Sequence, residues 1–369
     1  MSWLVVAILA GARLALALES ESKPVDPRAV VGRSLPFLER EGLEWMRERA
    51  CVTCHHTSFL VWTHGEAKRR GFPVDAGRLG AWTDWALLQV LSLSDSGGDN
   101  GADTLSQLLL GRDPKSPWFE KPSRGYGRVS DPYENVLKHL LEAQGEDGRW
   151  VAGGQSGNPD ELPTAWAVLA LSSREEFVNA GDPGTEGRRS ALPDLQSLVA
   201  SNSEALPKAR DKALRWLRSQ EPTKPDDLNE KLVVRLLIAR RFGTKEEAAD
   251  RLKELLARQN ADGGWSADPS RRQPSDAFAT GQSLYAIGLG GPGGAGETAA
   301  IERAVGFLSA SQNEGGSWFV PTTAFHPPAG SERDHATDEV YTYWGTAWAT
   351  LGLLHTLPVN AEGVREKRE

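Results

Sequence analysis

The chain has 369 residues, 39% of them hydrophobic, so it can bury a sizeable core as two or three domains or as one large repeat-built domain. A net charge of −8 excludes the dense Lys/Arg face that nucleic-acid binding needs. There is no basic stripe, no P-loop and no GxGxxG fingerprint.

The N-terminus, MSWLVVAILAGARLALALES, is apolar from Trp3 to Leu18 except for Arg13. That is short of the roughly 20 apolar residues a membrane-spanning helix needs. Ala15 and Ala17 form an A-x-A-like cleavage site. Residues 1–18 therefore read as an export signal, with an uncut anchor or a wrongly chosen start codon as the alternatives, and the mature chain is expected in the periplasm or another extracytoplasmic space. No stable membrane span is expected. Residues 19–33 are polar, contain Pro and read as a linker.

From residue 34 onward, helical apolar spacing recurs in pairs. "SLPFLEREGLEWMRERA" (34–50) precedes "TSFLVWTHGEAKRRG" (57–71), and "RLGAWTDWALLQVLSL" (78–93) precedes "DTLSQLLLG" (103–111). "HLLEAQGEDGRW" (139–150) is followed by "LPTAWAVLAL", and "ARDKALRWLRSQEPT" (209–223) by "LNEKLVVRLLIARRFG". "ELLARQNADGGW" (254–265) leads to "SDAFATGQSLYAIGL", and "FLSASQNEGGSW" (307–318) to "TYWGTAWATLGLL". In three of the first members a Gln is followed four residues later by Gly and six later by Trp: Gln144, Gly148, Trp150; Gln259, Gly263, Trp265; Gln312, Gly316, Trp318. The first helix of each pair is amphipathic and charged, as a half-exposed helix should be. The second is apolar and rich in Ala, Gly and aromatics. A polar insert, about 173–206, separates the third and fourth pairs as a flexible loop or a lid, and 358–369 is a solvated tail.

Helix pairs in series form an open solenoid or a closed ring. The Gln–Gly–Trp repeat resembles that of squalene–hopene cyclases and their relatives, the terpenoid cyclase and prenyltransferase toroids, over about residues 34–357. The resemblance implies an all-α (α/α)6 toroid with six inner helices ringed by six outer ones, and it implies that each Gln and Trp braces neighbouring repeats.

The first outer helix lacks this turn. In its place stands "ACVTCHHTS", which holds both cysteines of the chain. C-x-x-C-H is the attachment signature of c-type haem. Cys51 and Cys54 would form thioethers with one porphyrin, and His55 would be the axial iron ligand. The alternatives are a redox or structural Cys51–Cys54 disulfide, and a zinc site using Cys51, Cys54, His55 and His56. The loop 319–337 is expected at the same end of the ring, so His326 or His335 is a candidate distal ligand. His64 is placed on the following helix as a possible cavity residue. Met46 precedes the motif on a packed outer helix, and an open sixth site is also compatible.

Class II terpenoid cyclases protonate their substrate with a D-x-D-D motif at the head of an inner helix. The matching stretch here, "NPDELPTAWAVLAL", has Leu162 and Pro163 at the critical positions. Asp160, Glu161 and Asp276 are weak candidates for a catalytic acid, because carboxylates at such positions more simply cap helix N-termini. Asp338 and Glu339 fall in the same class. The prenyltransferase zinc set is missing its late Cys. Phe59, Trp62, Trp166, Phe278, Tyr285, Tyr341, Tyr343 and Trp344 fall on or beside inner helices; most are expected in the core, with room for an apolar small molecule in the cavity. Three functions follow as expectations: an exported haem c protein for electron transfer or redox sensing with an unidentified redox partner protein, a cyclase-like or lyase-like enzyme, or a binding module with a disulfide.

Overall fold

The computed structural model describes residues 25–49, 52, 55–95, 101–112, 132–151, 159–179, 193–220, 228–268, 273–291, 293–321 and 335–359. Among them are twelve helices: α1 (Pro27–Arg49), α2 (Thr57–Arg69), α3 (Ala76–Asp95), α4 (Ala102–Leu110), α5 (Pro132–Glu142), α6 (Glu161–Asn179), α7 (Pro193–Ser219), α8 (Asn229–Phe242), α9 (Lys245–Ala257), α10 (Ala277–Gly288), α11 (Ala295–Ser311) and α12 (His335–His355). The described residues contain no named strand; Trp265 and Asp276 form an isolated bridge.

The even-numbered helices make a closed inner ring. α2 packs on α4, α4 on α6, α6 on α8, α8 on α10, α10 on α12, and α12 returns to α2. The odd-numbered helices lie outside, where α3 meets α5, α5 meets α7, and α11 meets α1. The polarity of each segment sorts it into its layer. Outer α9, KEEAADRLKELLA, fully buries only Leu255, whereas every residue of α10 from Ala277 to Ile287 is buried. Outer α9 starts at a capping box: Thr244 Oγ1 accepts from Glu247 N at 3.1 Å, and Thr244 N donates back to Glu247 Oε2 at 2.8 Å. Inner α10 and α12 approach so closely that a Cβ at Gly352 would stand 2.9 Å from Leu284 Cβ. Only Gly permits that contact.

The Gln–Gly–Trp turns are superimposable in their bonding. Gln144 Nε2 donates to Gly148 O (2.9 Å) and to Ala209 O of the next outer helix (2.8 Å). Gln259 does the same with Gly263 and Ala300, and Gln312 with Gly316 and Val30. The last of these ties α11 to α1 and closes the ring. Each Trp indole donates backward to its own outer helix, at Leu140, Leu255 and Leu308. Each Trp backbone N–H donates to a threonine of its inner helix, Thr164, Thr280 or Thr346. The glycines have φ of +104°, +92° and +86°. A Cβ at Gly148 would lie 2.7 Å from Lys212 O on the next outer helix.

Two boundaries differ from the sequence expectation. Residues 27–33, assigned to a linker, are the first turns of α1, because Val30 and Val31 are buried and Arg28 Nη1 donates to Arg70 O at 3.0 Å. The insert assigned to 173–206 is helical at both ends, since α6 runs to Asn179 and α7 begins at Pro193.

Candidate functional site

Successive inner helices are separated by one outer helix and so run in the same direction, which places their N-termini at one end of the ring. The opposite end is closed by charge. There Glu66 pairs with Arg69 and Arg70, His355 Nε2 stands 3.7 Å from Glu66, and the Arg240 guanidinium bonds to Ala286 O and Ile287 O at the end of α10. Burial works to raise the Glu66 carboxyl, but His355 and the two arginines hold it below the usual range. These cations meet the negative ends of the inner-helix dipoles.

At mid-height the ring is filled by aromatic side chains. Trp62 meets Tyr285 at 5.7 Å and Trp348 at 5.6 Å, and Trp166 meets Trp348 at 5.3 Å. Phe59 joins Trp348 edge-on at 5.2 Å. Above this aromatic floor, in the first turns of α4 and α8, sit Asp103 and Glu230. Both carboxyl-bearing side chains keep some accessible surface, yet they lie deep among protein atoms. Desolvation raises Asp103 to about 6 and Glu230 to about 7. For Glu230 the charge of Asp103 adds to the rise, while hydrogen bonds from Gln282 and Trp166 oppose it. Gln282 Nε2 donates to Glu230 Oε1 at 3.0 Å. Gln282 is fully buried, and its Oε1 has no hydrogen-bond partner among the described residues; neither has Trp348 Nε1.

The acids singled out from the sequence are engaged elsewhere. Glu161 is held by Arg235 in a bidentate pair at 2.7 and 3.1 Å, with Lys231 at 3.7 Å. Asp160 pairs with Arg149 at 3.0 Å. Asp276 caps α10: its Oδ1 accepts from Ala279 N at 2.7 Å and its Oδ2 from Ala267 N at 2.9 Å. Burial still raises it to about 6 against those bonds. Asp103 and Glu230 were not singled out. Their signal, an acid as second residue of an apolar helix in "ADTLSQ" and "NEKLVV", is the same as that of any dipole-pairing acid.

Cys51 and Cys54 lie outside the described residues, as does His326; His335 is the first residue of α12, and its side chain is likewise outside them. His55 and His56 are described. Their Nδ1 atoms are 2.6 Å apart, so one ring donates to the other. The His56 ring is stacked between Trp45 (4.1 Å, 12°) and Tyr343 (4.1 Å, 15°). Burial lowers His55 to about 4; burial, and then the His55 charge, lowers His56 to about 2. A cleft of about 770 Å³ opens beside them between α1 and α12. His64 does not line the central cavity. It is 2% exposed, its Nδ1 is 2.9 Å from Leu60 O, and its ring meets Trp82 of the outer α3. Met46 packs partly buried against the core. Among the described residues no group of three His, Cys, Asp or Glu could hold a metal ion, and no helix is long and apolar enough to cross a membrane.

No protein-family model matches the sequence, and no curated protein matches it. Solved structures do match the fold. The type II terpene cyclase MstE from Scytonema aligns with a TM-score of 0.53 at 14% identity, over 90% of this chain and 98% of that one. A possible member of the GH105 family from Salmonella enterica serovar Paratyphi A aligns with a TM-score of 0.51 at 12% identity, over 92% and 96%. The chain is an α/α toroid of the terpene cyclase and GH105 type.

Proposed function

We propose that the chain is a terpenoid-cyclase-like enzyme in which Glu230, rather than an Asp-rich motif, delivers the initiating proton. The observation that carries this reading is a carboxyl held among protein atoms beside the aromatic floor, accepting from Gln282 Nε2 at 3.0 Å and from Trp166, where burial pushes it up to about 7. An acid poised near neutral pH transfers a proton most effectively. The proton passes from the Glu230 carboxyl to an alkene carbon of an apolar substrate, and the π pair becomes the new C–H bond. The cation left on the neighbouring carbon faces the π surfaces of Trp62, Trp166 and Trp348. An internal alkene of the same chain attacks that cation, its π pair becoming the ring C–C bond, and loss of a proton from the carbon beside the final cation closes the balance. Gln282 orients the acid, and Asp103 raises its pKa.

The test is incubation with squalene and linear prenyl chains in D2O. Product carrying one deuterium, lost in Glu230→Gln and kept in Asp160→Asn, is expected. Absence of product from the wild type ends the reading.

A second reading places haem c at Cys51, Cys54 and His55 in an exported protein. What favours it is His55: burial keeps the imidazole neutral, and its Nδ1 is engaged by His56, as the non-ligating nitrogen of a metal-bound histidine usually is. The described donor fits an axial ligand. Haem would supply one-electron chemistry, passed to a redox partner protein. Protein matured in an exporting host should show a Soret band; unmodified thiols by peptide mass remove this reading.

A further inference from the structure

The cyclisation ends when a proton leaves the carbon beside the final cation, and that proton needs an acceptor. Few groups around the aromatic floor can take it. The indole nitrogens of Trp62, Trp166 and Trp348 are donors only. Burial raises the Tyr285 phenol, the charge of Glu66 adds to the rise, and it stays a neutral phenol. Gln282 is a neutral amide. His355 lies on the far side of Tyr285, toward the closed end, where Arg70 Nη2 is 3.4 Å from its Nδ1. Glu230 has just given its proton, and its carboxylate accepts from Gln282 and Trp166.

Asp103 is left, and two observations set it apart. First, its carboxyl makes no hydrogen bond and no ion pair among the described residues, unlike Asp160, Glu161 and Asp276. A carboxylate held among protein atoms without a donor favours whatever brings it positive charge. Second, it keeps some accessible surface, and its charge reaches Glu230. The helices that carry the two acids, α4 and α8, both pack on α6, which carries Trp166. A molecule that touches one carboxyl therefore lies near the other. Burial raises Asp103 to about 6 and Glu230 to about 7, so between those values the proton resides mainly on Glu230 while Asp103 is mainly ionised.

We propose that Asp103 is the base that ends the reaction Glu230 begins, taking the proton from the carbon beside the final cation. The C–H bond breaks and its electron pair becomes the alkene of the product. The proton rests on an Asp103 oxygen and leaves to solvent over the accessible edge of the side chain. Glu230 regains a proton from solvent, so the cycle consumes no oxidant and no second substrate. Until the proton leaves, the cation lies between the Asp103 charge and the π faces of the floor. This role rests on the reading of Glu230 as the acid.

Two experiments test it. In D2O with linear prenyl chains, Asp103→Asn should still place one deuterium in the product. Its ring-closed alkene should fall at least about tenfold. Water should capture the cation instead, forming a C–O bond and releasing a proton, so that an alcohol accumulates. Asp103→Glu should restore part of the alkene. The second experiment needs no turnover. N-butyl-N-methylpiperidinium, a stable mimic of a cyclic cation, should bind the full chain with a Kd below about 1 mM by calorimetry. Asp103→Asn should weaken it at least about tenfold, and Asp160→Asn should leave it unchanged. An unchanged alkene yield in Asp103→Asn, or piperidinium binding indifferent to residue 103, overturns the base and leaves Glu230 as the acid. Loss of all labelled product in Asp103→Asn also overturns it, since that places Asp103 in initiation. No product from the wild type ends both readings.

Discussion

At the residue scale, the decisive feature is the difference between acids held by cations or backbone N–H groups and an acid held by neutral side chains. Glu161 sits opposite Arg235 and Asp276 caps a helix. Glu230 faces Gln282, Trp166 and the charge of Asp103. Its raised pKa is also a statement about stability. The folded state holds the Glu230 proton more tightly than the unfolded chain, whose pKa is near 4.5. The contribution is therefore complete below about pH 4.5 and is lost as pH rises through about 7. Glu230→Gln should be more stable than the wild type at pH 8, on the order of 2 kcal/mol, with little difference at pH 4.5. Thermal melts at the two pH values measure it. The histidines act in the opposite sense. His55 and His56 are buried neutral, so their contribution is complete above pH 6.5 and is lost as pH falls toward about 4. A double His55→Gln, His56→Gln variant should lose less stability than the wild type between pH 7 and pH 5, as followed by denaturant midpoint.

At the element scale, the unit is the turn after each outer helix. Its Gln side chain carries two bonds of 2.8 Å, one within the turn and one to the next repeat. Gln259→Ala leaves Gly263 O and Ala300 O without that donor and should cost about 1–3 kcal/mol. Gly263→Ala should cost more, since it adds a left-handed φ penalty to a contact with the Arg303 carbonyl. Chemical denaturation of both variants orders them. This unit was legible in the sequence as a spacing, because the same three residues recur wherever the same turn is made. The first repeat was legible only as a departure: where the brace should be, Cys51 to His55 stand. The length of α1 was not legible, because residues 27–33 stand at the end of a polar, Pro-containing stretch, and the partners that hold them, Arg70 and Gln312, come from distant parts of the chain.

At the scale of the whole molecule, ring closure turns nearest-neighbour repeats into one cooperative body. α12 packs on both α1 and α2, and Gln312 bonds to Val30. An open solenoid would fray from its ends. The closed ring should instead protect α1 and α12 together. Gln312→Ala should raise hydrogen exchange in both helices and leave α5 and α6 unchanged; increased exchange confined to α11 would contradict closure. Closure also makes the two ends of the ring chemically different. Inner-helix N-termini gather acids at one end, while at the other Arg240 satisfies carbonyls of α10 and Arg70 pairs with Glu66.

The sequence by itself determined the helix pairs, the division into amphipathic outer and apolar inner helices, and the recurring brace, because each depends on residues close together in the chain. Only the tertiary structure decided which acids are functional candidates. Asp103 and Glu230 are 127 positions apart in the numbering, and their desolvation and mutual repulsion exist only once the ring has brought α4 and α8 near each other. The same holds for His56, whose neutrality and stacking come from Trp45 before it and Tyr343 near the far end of the chain. Desolvation depends on every neighbouring atom, and local sequence specifies only a few of them.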